Sequence, residues 1–215
     1  MRPRLSGKRL KAFKRLIKDE RRILVIGDVH APYTKKGYRE FCQKVYAEHN
    51  CNQVIYIGDI CDNQYASFHD SNPDLAGGKD ELEYAISEVH KWRDAFPSAK
   101  STDCIIGNHD RILARKLFKA GVPSQWLKSY NEVLGTDWNW TERIVYDDVQ
   151  YMHGEGGTAS TKAKNDMMST VQGHIHTQCY VQWHSGQKRV LSMQVGCGVN
   201  RDSIGMSYAK AYKFQ

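Results

Sequence analysis

The sequence predicts an α/β fold in which a parallel core sheet packs against a second, strand-rich layer. Three observations predict it. Short β-branched runs alternate with helical patterns between residues 23 and 108, as parallel strands joined by crossover helices require. From about Trp140 onward, strand-like runs follow one another in quick succession. Three of the early runs end in glycine followed by a polar residue, at the strand ends where open α/β sheets bind ligands.

Ile23-Leu-Val-Ile-Gly-Asp28 opens the series as a short, buried strand. Gly37–Asn50 follows with Phe41, Val45 and Tyr46 at helical spacing, and Gln53-Val-Ile-Tyr-Ile-Gly-Asp59 repeats the first strand's form. Asn63–Gly78, rich in Asp, Ser, Asn and Gly, reads as a long loop bordering a site. Lys79–Phe96 reads as an amphipathic helix, with Leu82, Ala85, Ile86, Val89 and Trp92 on one stripe. Asp103-Cys-Ile-Ile-Gly-Asn108 is the third strand. In the second half, Arg143–Tyr146, Val149–Met152, Val171–Gly173, Cys179–Trp183 and Arg189–Val195 read as strands, with Ser185–Gly186 as a hairpin tip.

The chain has 215 residues, 40% of them hydrophobic, enough for one domain with a substantial core. The net charge of +7 is local: residues 1–22 hold ten Lys/Arg against Asp19 and Glu20, or +8, leaving about −1 for residues 23–215. This basic arm supports two readings of equal weight. Leu10, Phe13 and Ile17 at i, i+3, i+7 make an amphipathic helix docked on the body, or the Lys/Arg face contacts nucleic-acid phosphates. The domain proper is then residues 23–215. Apolar runs such as Ile23–Ile26 are too short to cross a membrane, and the charged N-terminus has no export-signal core. The six cysteines (42, 51, 61, 104, 179 and 197) are scattered without a CxxC pair, which excludes a disulfide scaffold and predicts reduced thiols in a cytoplasmic protein. Cys61 and Cys104 are expected to pack as small hydrophobes.

The chemistry lies at the strand ends. Asp28-Val-His30, Asp59 and Asn108-His109 would ring one crevice, the glycine before each group letting the backbone turn sharply and approach closely. Asp28 and His30, two apart, would point the same way from an extended segment. The second half adds His153 and the pair His174-Ile-His176. Carboxylates with imidazoles suit Mn, Fe or Zn rather than Ca, and the seven ligands besides His109 are too many for one ion and about right for two.

In its ordered blocks the chain resembles the calcineurin-like metallophosphoesterases: Asp28-Val-His30, Gly58-Asp59-Ile-Cys-Asp62, Gly107-Asn-His-Asp110, His153 and Gly173-His-Ile-His176, over residues 27–176. Any one block is weak evidence; five in order at strand ends are specific. The resemblance implies a four-layer αββα sandwich of two packed mixed sheets flanked by helices. It implies two divalent metal ions, manganese first, with iron, zinc or nickel as alternatives. Asp28, His30 and His176 would hold one, and Asn108, His153 and His174 the other, with Asp59 bridging. His109 would be the catalytic imidazole and Asp62 the carboxylate that hydrogen-bonds and orients it. Two ions sharing a hydroxide would permit direct hydrolysis of a phosphoester without a covalent intermediate.

Blander readings attach to the neighbours. Asp110 is expected to N-cap a helix beginning at Arg111, and Arg111 either clamps phosphate or is solvated. His49, His90 and His184 are read as surface histidines. His69, Arg111 and Asn108 are the candidate substrate contacts, and Gly154–Gly157 with Glu155 a turn beside the metals. The protein phosphatases of this family carry Gly after D-x-H and Arg-Gly after GD-x-x-D; here Ala31 and Asn63-Gln64 stand there, without a phosphate-gripping arginine. Asp110, where protein phosphatases have Glu, is similar to the phosphodiesterase and nuclease branches, although the family's DNA-repair nucleases carry His at the position of Asp62. The expectation is a phosphodiesterase, with a nuclease suggested by the arm. The alternatives are a phosphomonoesterase or nucleotide phosphatase and, from another class, a non-catalytic binding scaffold.

Overall fold

In a computed structural model, residues 20–68, 74, 76–200 and 202–203 are described, with Gly7, Lys8 and Lys11. Most of the basic arm and His69 lie outside the described residues.

The first sheet contains β1 (Ile23–Ile26), β2 (Gln53–Tyr56), β3 (Thr102–Ile105) and β4 (Asn139–Thr141), in that order and parallel throughout. Its crossovers carry α1 (Tyr38–Glu48), α2 (Gly78–Arg93), α3 (Ile112–Lys119) and the short α4 (Tyr130–Leu134). The second sheet joins β5 (Arg143–Tyr146), β6 (Val149–Met152), β7 (Ser169–Gln172), β8 (Tyr180–Ser185) and β9 (Arg189–Gln194) in the order β5-β6-β7-β9-β8. It is mixed: β6, β7 and β9 run parallel, while β5 and β8 are antiparallel edges. Two sheets with flanking helices are the predicted sandwich, mixed pairing being confined to the second.

Period-2 alternation makes the layers. Leu24, Ile26, Val54, Tyr56 and Cys104 point to the helices, where they meet Cys42, Tyr46, Ala85, Val89 and Trp92. The intervening Val25, Ile55 and Ile105 point the other way and pack on Tyr151, Val171 and Met193 of the second sheet. Each such fully buried aliphatic contributes roughly 1.5–3 kcal/mol. Trp138 closes the first core by stacking on Tyr56, ring centroids 4.5 Å apart. Cys61 and Cys104 are buried, and all six cysteines are free.

Several expectations shift. Phe41 does not join the stripe of α1: it is 59% exposed, and Cys42 and Tyr46 form the buried edge. β4 and α4 interrupt the stretch before the second sheet. A helix not predicted, α5 (Ala159–Asp166), separates β6 from β7, with Thr158 Oγ1 accepting from Thr161 N–H at its start. It has few apolar residues and docks through Ala159 and Ala163, one turn apart. At its N-terminal edge the body holds the end of the arm: Arg21 pairs with Asp147 at 2.9 Å and lies over the Tyr146 ring, while Arg22 Nε donates to Asn50 O.

Candidate metal centre

Because β1, β2 and β3 are parallel, the loops after them emerge at one edge, where those after β6 and β7 meet them. The residues expected there converge. Asp28 Oδ2 is 3.0 Å from His176 Nε2, which is 3.2 Å from His30 Nε2. His153 Nε2 is 2.9 Å from Asn108 Oδ1, 3.1 Å from Asp59 Oδ2 and 3.2 Å from His174 Nδ1. The same Asp59 oxygen is 3.7 Å from His30 Nε2 and so lies between the two groups. Asp28–His30–His176 and Asp59–His153–His174 each offer donor atoms close enough together for one ion.

The local backbone explains the convergence. Asp28 and His30 do not alternate along an extended segment, as the sequence suggested. His30 lies in the left-handed region at φ 49, Asp59 at φ 51 and His174 at φ 70, so each strand end turns abruptly. The turns are tied together, since Val29 N and His30 N both donate to Asp59 O. Gly58 has φ 110, and a Cβ there would sit 2.5 Å from His153 Nδ1. Gly107 lies so close to Asp59 that a Cβ would overlap its carboxylate.

The hydrogen-bond chemistry shows that the donor set suits cations. His153 Nδ1 lies 3.0 Å from Ile57 O, an acceptor only, so Nδ1 carries the proton and neutral Nε2 presents a lone pair. That lone pair faces the Asn108 and Asp59 oxygens, an arrangement that a cation or an added proton reconciles. His30 repeats the pattern, with Nδ1 2.6 Å from Asp62 Oδ1 and Nε2 turned to His176. An imidazole whose far nitrogen is held by a carboxylate or carbonyl is the usual way a metal-binding histidine is oriented.

The pKa directions agree. Burial pulls His30 down, but the hydrogen bond and charge of Asp62, with Asp59 and Asp28, more than reverse it and hold the imidazole at about 9. For His153, burial is likewise outweighed, by the charge and hydrogen bond of Asp59, again giving about 9. Burial opposes ionisation of Asp59, yet the surrounding imidazoles carry its carboxyl well below the usual range. His174 goes down, through burial and the charge of His153. In the metal-free protein the two raised histidines stabilise the fold fully below their ordinary value of 6.5, and that stabilisation is lost as pH rises through about 9. Chelated protein is therefore expected to lose roughly 4 °C or more in Tm across that interval. Metal-loaded protein should not follow, because the ion replaces the protons. Melting curves with and without chelator check this.

His109 stands beside the cluster, its ring T-shaped on His30 with centroids 4.7 Å apart. Its Nδ1 donates to the main-chain oxygen of Asp62 at 2.6 Å, while the Asp62 carboxylate, expected to be its partner, is 3.4 Å away and bound to His30 instead. Asp62 thus orients both rings, by different atoms, and its buried Oδ2 has no hydrogen-bond partner among the described residues.

Asp110 is not a helix cap: α3 begins at Ile112 without a side-chain cap. Its buried carboxylate accepts from the main-chain N–H of Asp59 (2.9 Å), Ile60 (3.0 Å), Cys61 (3.3 Å) and Gly107 (2.9 Å). Burial and the charge of Asp59 push it up to about 6, against these hydrogen bonds. Asn63, read from sequence only as the absence of arginine, donates its side-chain amide to His109 O. The signal for Asp110 was its place in a glycine-flanked block; that for Asn63 was absent, because it depends on two loops meeting.

Arg111 does not reach freely into the crevice. It is held by Glu155 and, at 3.6 Å, by Glu142. His49 is exposed, whereas the other two presumed surface histidines are half-buried: His90 bonds Leu134 O at 3.0 Å and His184 bonds Ser192 Oγ at 2.9 Å. A cavity borders each donor group. One, of 420 Å³, is lined by Asn108 and His109; the other, of 410 Å³, by His176, Lys35 and Asn200.

A family model described as calcineurin-like phosphoesterase matches residues 21–200. The fold is similar to a crystal structure of the Pseudomonas putida nuclease MPE, at 20% identity and a TM-score of 0.46, covering 85% of this chain and 76% of that one. It is also similar to Chaetomium thermophilum Vps29, at 12% identity and a TM-score of 0.39, covering 82% and 69%. No curated protein matches the sequence significantly.

Proposed function

The chain belongs to the calcineurin-like phosphoesterase family, and on that premise we propose that it hydrolyses phosphodiesters with two divalent metal ions. The observation that carries this reading is the confrontation of lone pairs around Asp59 Oδ2, which two cations would relieve. Asp28, His30 and His176 would hold one ion and Asn108, His153 and His174 the other, with Asp59 shared between them. Bound there, such ions supply Lewis acidity to the phosphate oxygens and bring a water's pKa towards neutrality. Manganese is the first expectation, since imidazole and carboxylate together suit it, and iron, zinc and nickel also fit.

The chain's own residues do the rest. His109 is fixed through Nδ1–H, so its imidazolium form would carry the second proton on Nε2 and give it to the departing oxygen, leaving the neutral ring. Asp62 and Asn63 hold its ring and main chain in place. Separate cavities, one bordered by Asn108 and one by His176, favour a diester, which carries two substituents on phosphorus. Asn63 and Gln64 are buried and uncharged where a monoesterase would want a cation for a terminal dianion. Six free thiols suit a reducing compartment, and no described helix is long and apolar enough to cross a membrane.

The test is turnover of bis-p-nitrophenyl phosphate against p-nitrophenyl phosphate by manganese-loaded protein. The diester is expected to be preferred, and His109→Ala to lower kcat by about 10²–10⁴-fold with metal content unchanged. Preference for the monoester would favour a phosphomonoesterase. Absent turnover on both would favour a binding scaffold, and turnover that persists in chelator would overturn the two-metal reading.

A further inference from the structure

Next to His109 lies a surface that hydrolysis of a small diester does not need. α3 begins three residues after His109 and, among its residues, buries only Ile112. It turns Arg115, Lys116 and Lys119 outward over one aromatic ring: Arg115 Cζ is 5.0 Å, Lys116 Nζ 5.4 Å and Lys119 Nζ 4.7 Å from the centroid of Phe68. None of the three has a carboxylate within ion-pair distance among the described residues, unlike neighbouring Arg111, which has two. Phe68 remains 46% exposed. With Arg115 and Lys119 it lines the 420 Å³ cavity that reaches Asn108 and His109, so cations, aromatic ring and candidate catalytic imidazole border one space.

Cations with no carboxylate partner among the described residues invite a polyanion. Arg115 and Lys119 are one helical turn apart, about 6 Å along the axis, a spacing of the order of that between successive phosphates on an extended strand. An exposed ring among them adds something only for a polyanion with flat faces to stack. An acidic peptide would use the cations and leave the ring idle. A duplex would keep its bases in its own stack. Those arguments select one occupant.

We propose that the α3 face and Phe68 form the substrate track of the site, receiving single-stranded nucleic acid with its backbone on Arg115 and Lys119 and a base stacked on Phe68. The proposal rests on the hydrolytic reading given above. DNA and RNA share this chemistry.

The experiment is fluorescence anisotropy of the full chain, chelated so that binding is read without turnover. Labelled single-stranded DNA and RNA oligonucleotides and a blunt duplex are the probes, and polyglutamate is the competitor. The basic arm is present in every sample, so differences among variants belong to α3 and Phe68. Arg115→Glu with Lys119→Glu is expected to raise the single-strand Kd at least tenfold and reduce the salt slope by about two. Phe68→Ala is expected to raise it about tenfold while leaving duplex binding unchanged. All three positions are exposed, so the variants should melt with the wild type. A ratio of DNA to RNA affinity well away from one identifies the strand. Unchanged Kd values in both variants would overturn the proposal, as would a duplex equally sensitive to Phe68→Ala, or displacement of the strand by polyglutamate at equal charge. Wild-type protein that binds the strand but, with manganese, cleaves neither it nor bis-p-nitrophenyl phosphate would instead overturn the hydrolytic reading.

Discussion

Asp59→Asn is expected to empty both metal positions together and to lower kcat about a thousandfold or more. Oδ2 of Asp59 is 3.1 Å from His153 Nε2 and 3.7 Å from His30 Nε2, so a single oxygen lies near histidines of both donor groups. Oδ1 is also engaged, accepting from the main-chain N–H of His109 at 2.8 Å. An amide cannot serve both edges: if its oxygen keeps the His109 N–H, its NH₂ faces the cations. If it turns the other way, the loop carrying His109 loses its anchor. Neither orientation supplies the negative charge. Elemental analysis after dialysis into manganese, alongside diester turnover, checks the prediction. A variant that retained about two ions per chain and normal turnover would remove Asp59 from the bridging position.

Asp110→Ala should have the second largest effect, primarily on stability. Four main-chain N–H groups from two loops end on this carboxylate. A hydrogen bond to a charged acceptor is worth about 1.5–3 kcal/mol, and a buried donor left alone bears its desolvation cost in full. Even with partial relaxation the loss should reach about 3–5 kcal/mol, lowering Tm by roughly 10 °C. Metal content should fall at temperatures where the variant is still folded, because the Asp59 loop is no longer pinned to Gly107. Asp110→Asn keeps one acceptor oxygen and should lie between the two. A melting temperature within about 2 °C of wild type for Asp110→Ala would show that water replaces the carboxylate.

The parts legible in the sequence were those encoded by residue type and spacing. β5 and β6 have the predicted bounds, and every donor named from the strand-end blocks lies within the observed cluster. Arrangements that depend on how loops meet were not legible. Asp110 could not be distinguished from a helix cap without knowing that the N–H groups of residues 59–61 turn towards it. The turn at His30 was hidden because non-glycine residues seldom adopt positive φ, and tertiary contacts such as His30 N to Asp59 O hold it there. α5 escaped because its buried edge is two alanines in a polar segment, too little contrast for a periodicity argument. The arm's two readings concern residues mostly outside those described.

The double duty of Asp62 divides its two roles by how they respond to mutation. Its grip on His30 belongs to a side chain and disappears with any residue lacking a suitable acceptor. Its grip on His109 belongs to a peptide oxygen, which every amino acid carries. The alignment of the His109 ring is therefore buffered against replacement at position 62, whereas the basicity of His30, a candidate ligand, is exposed to it. Under the proposed function, substitution at this position would retune the metal site while leaving His109 in register.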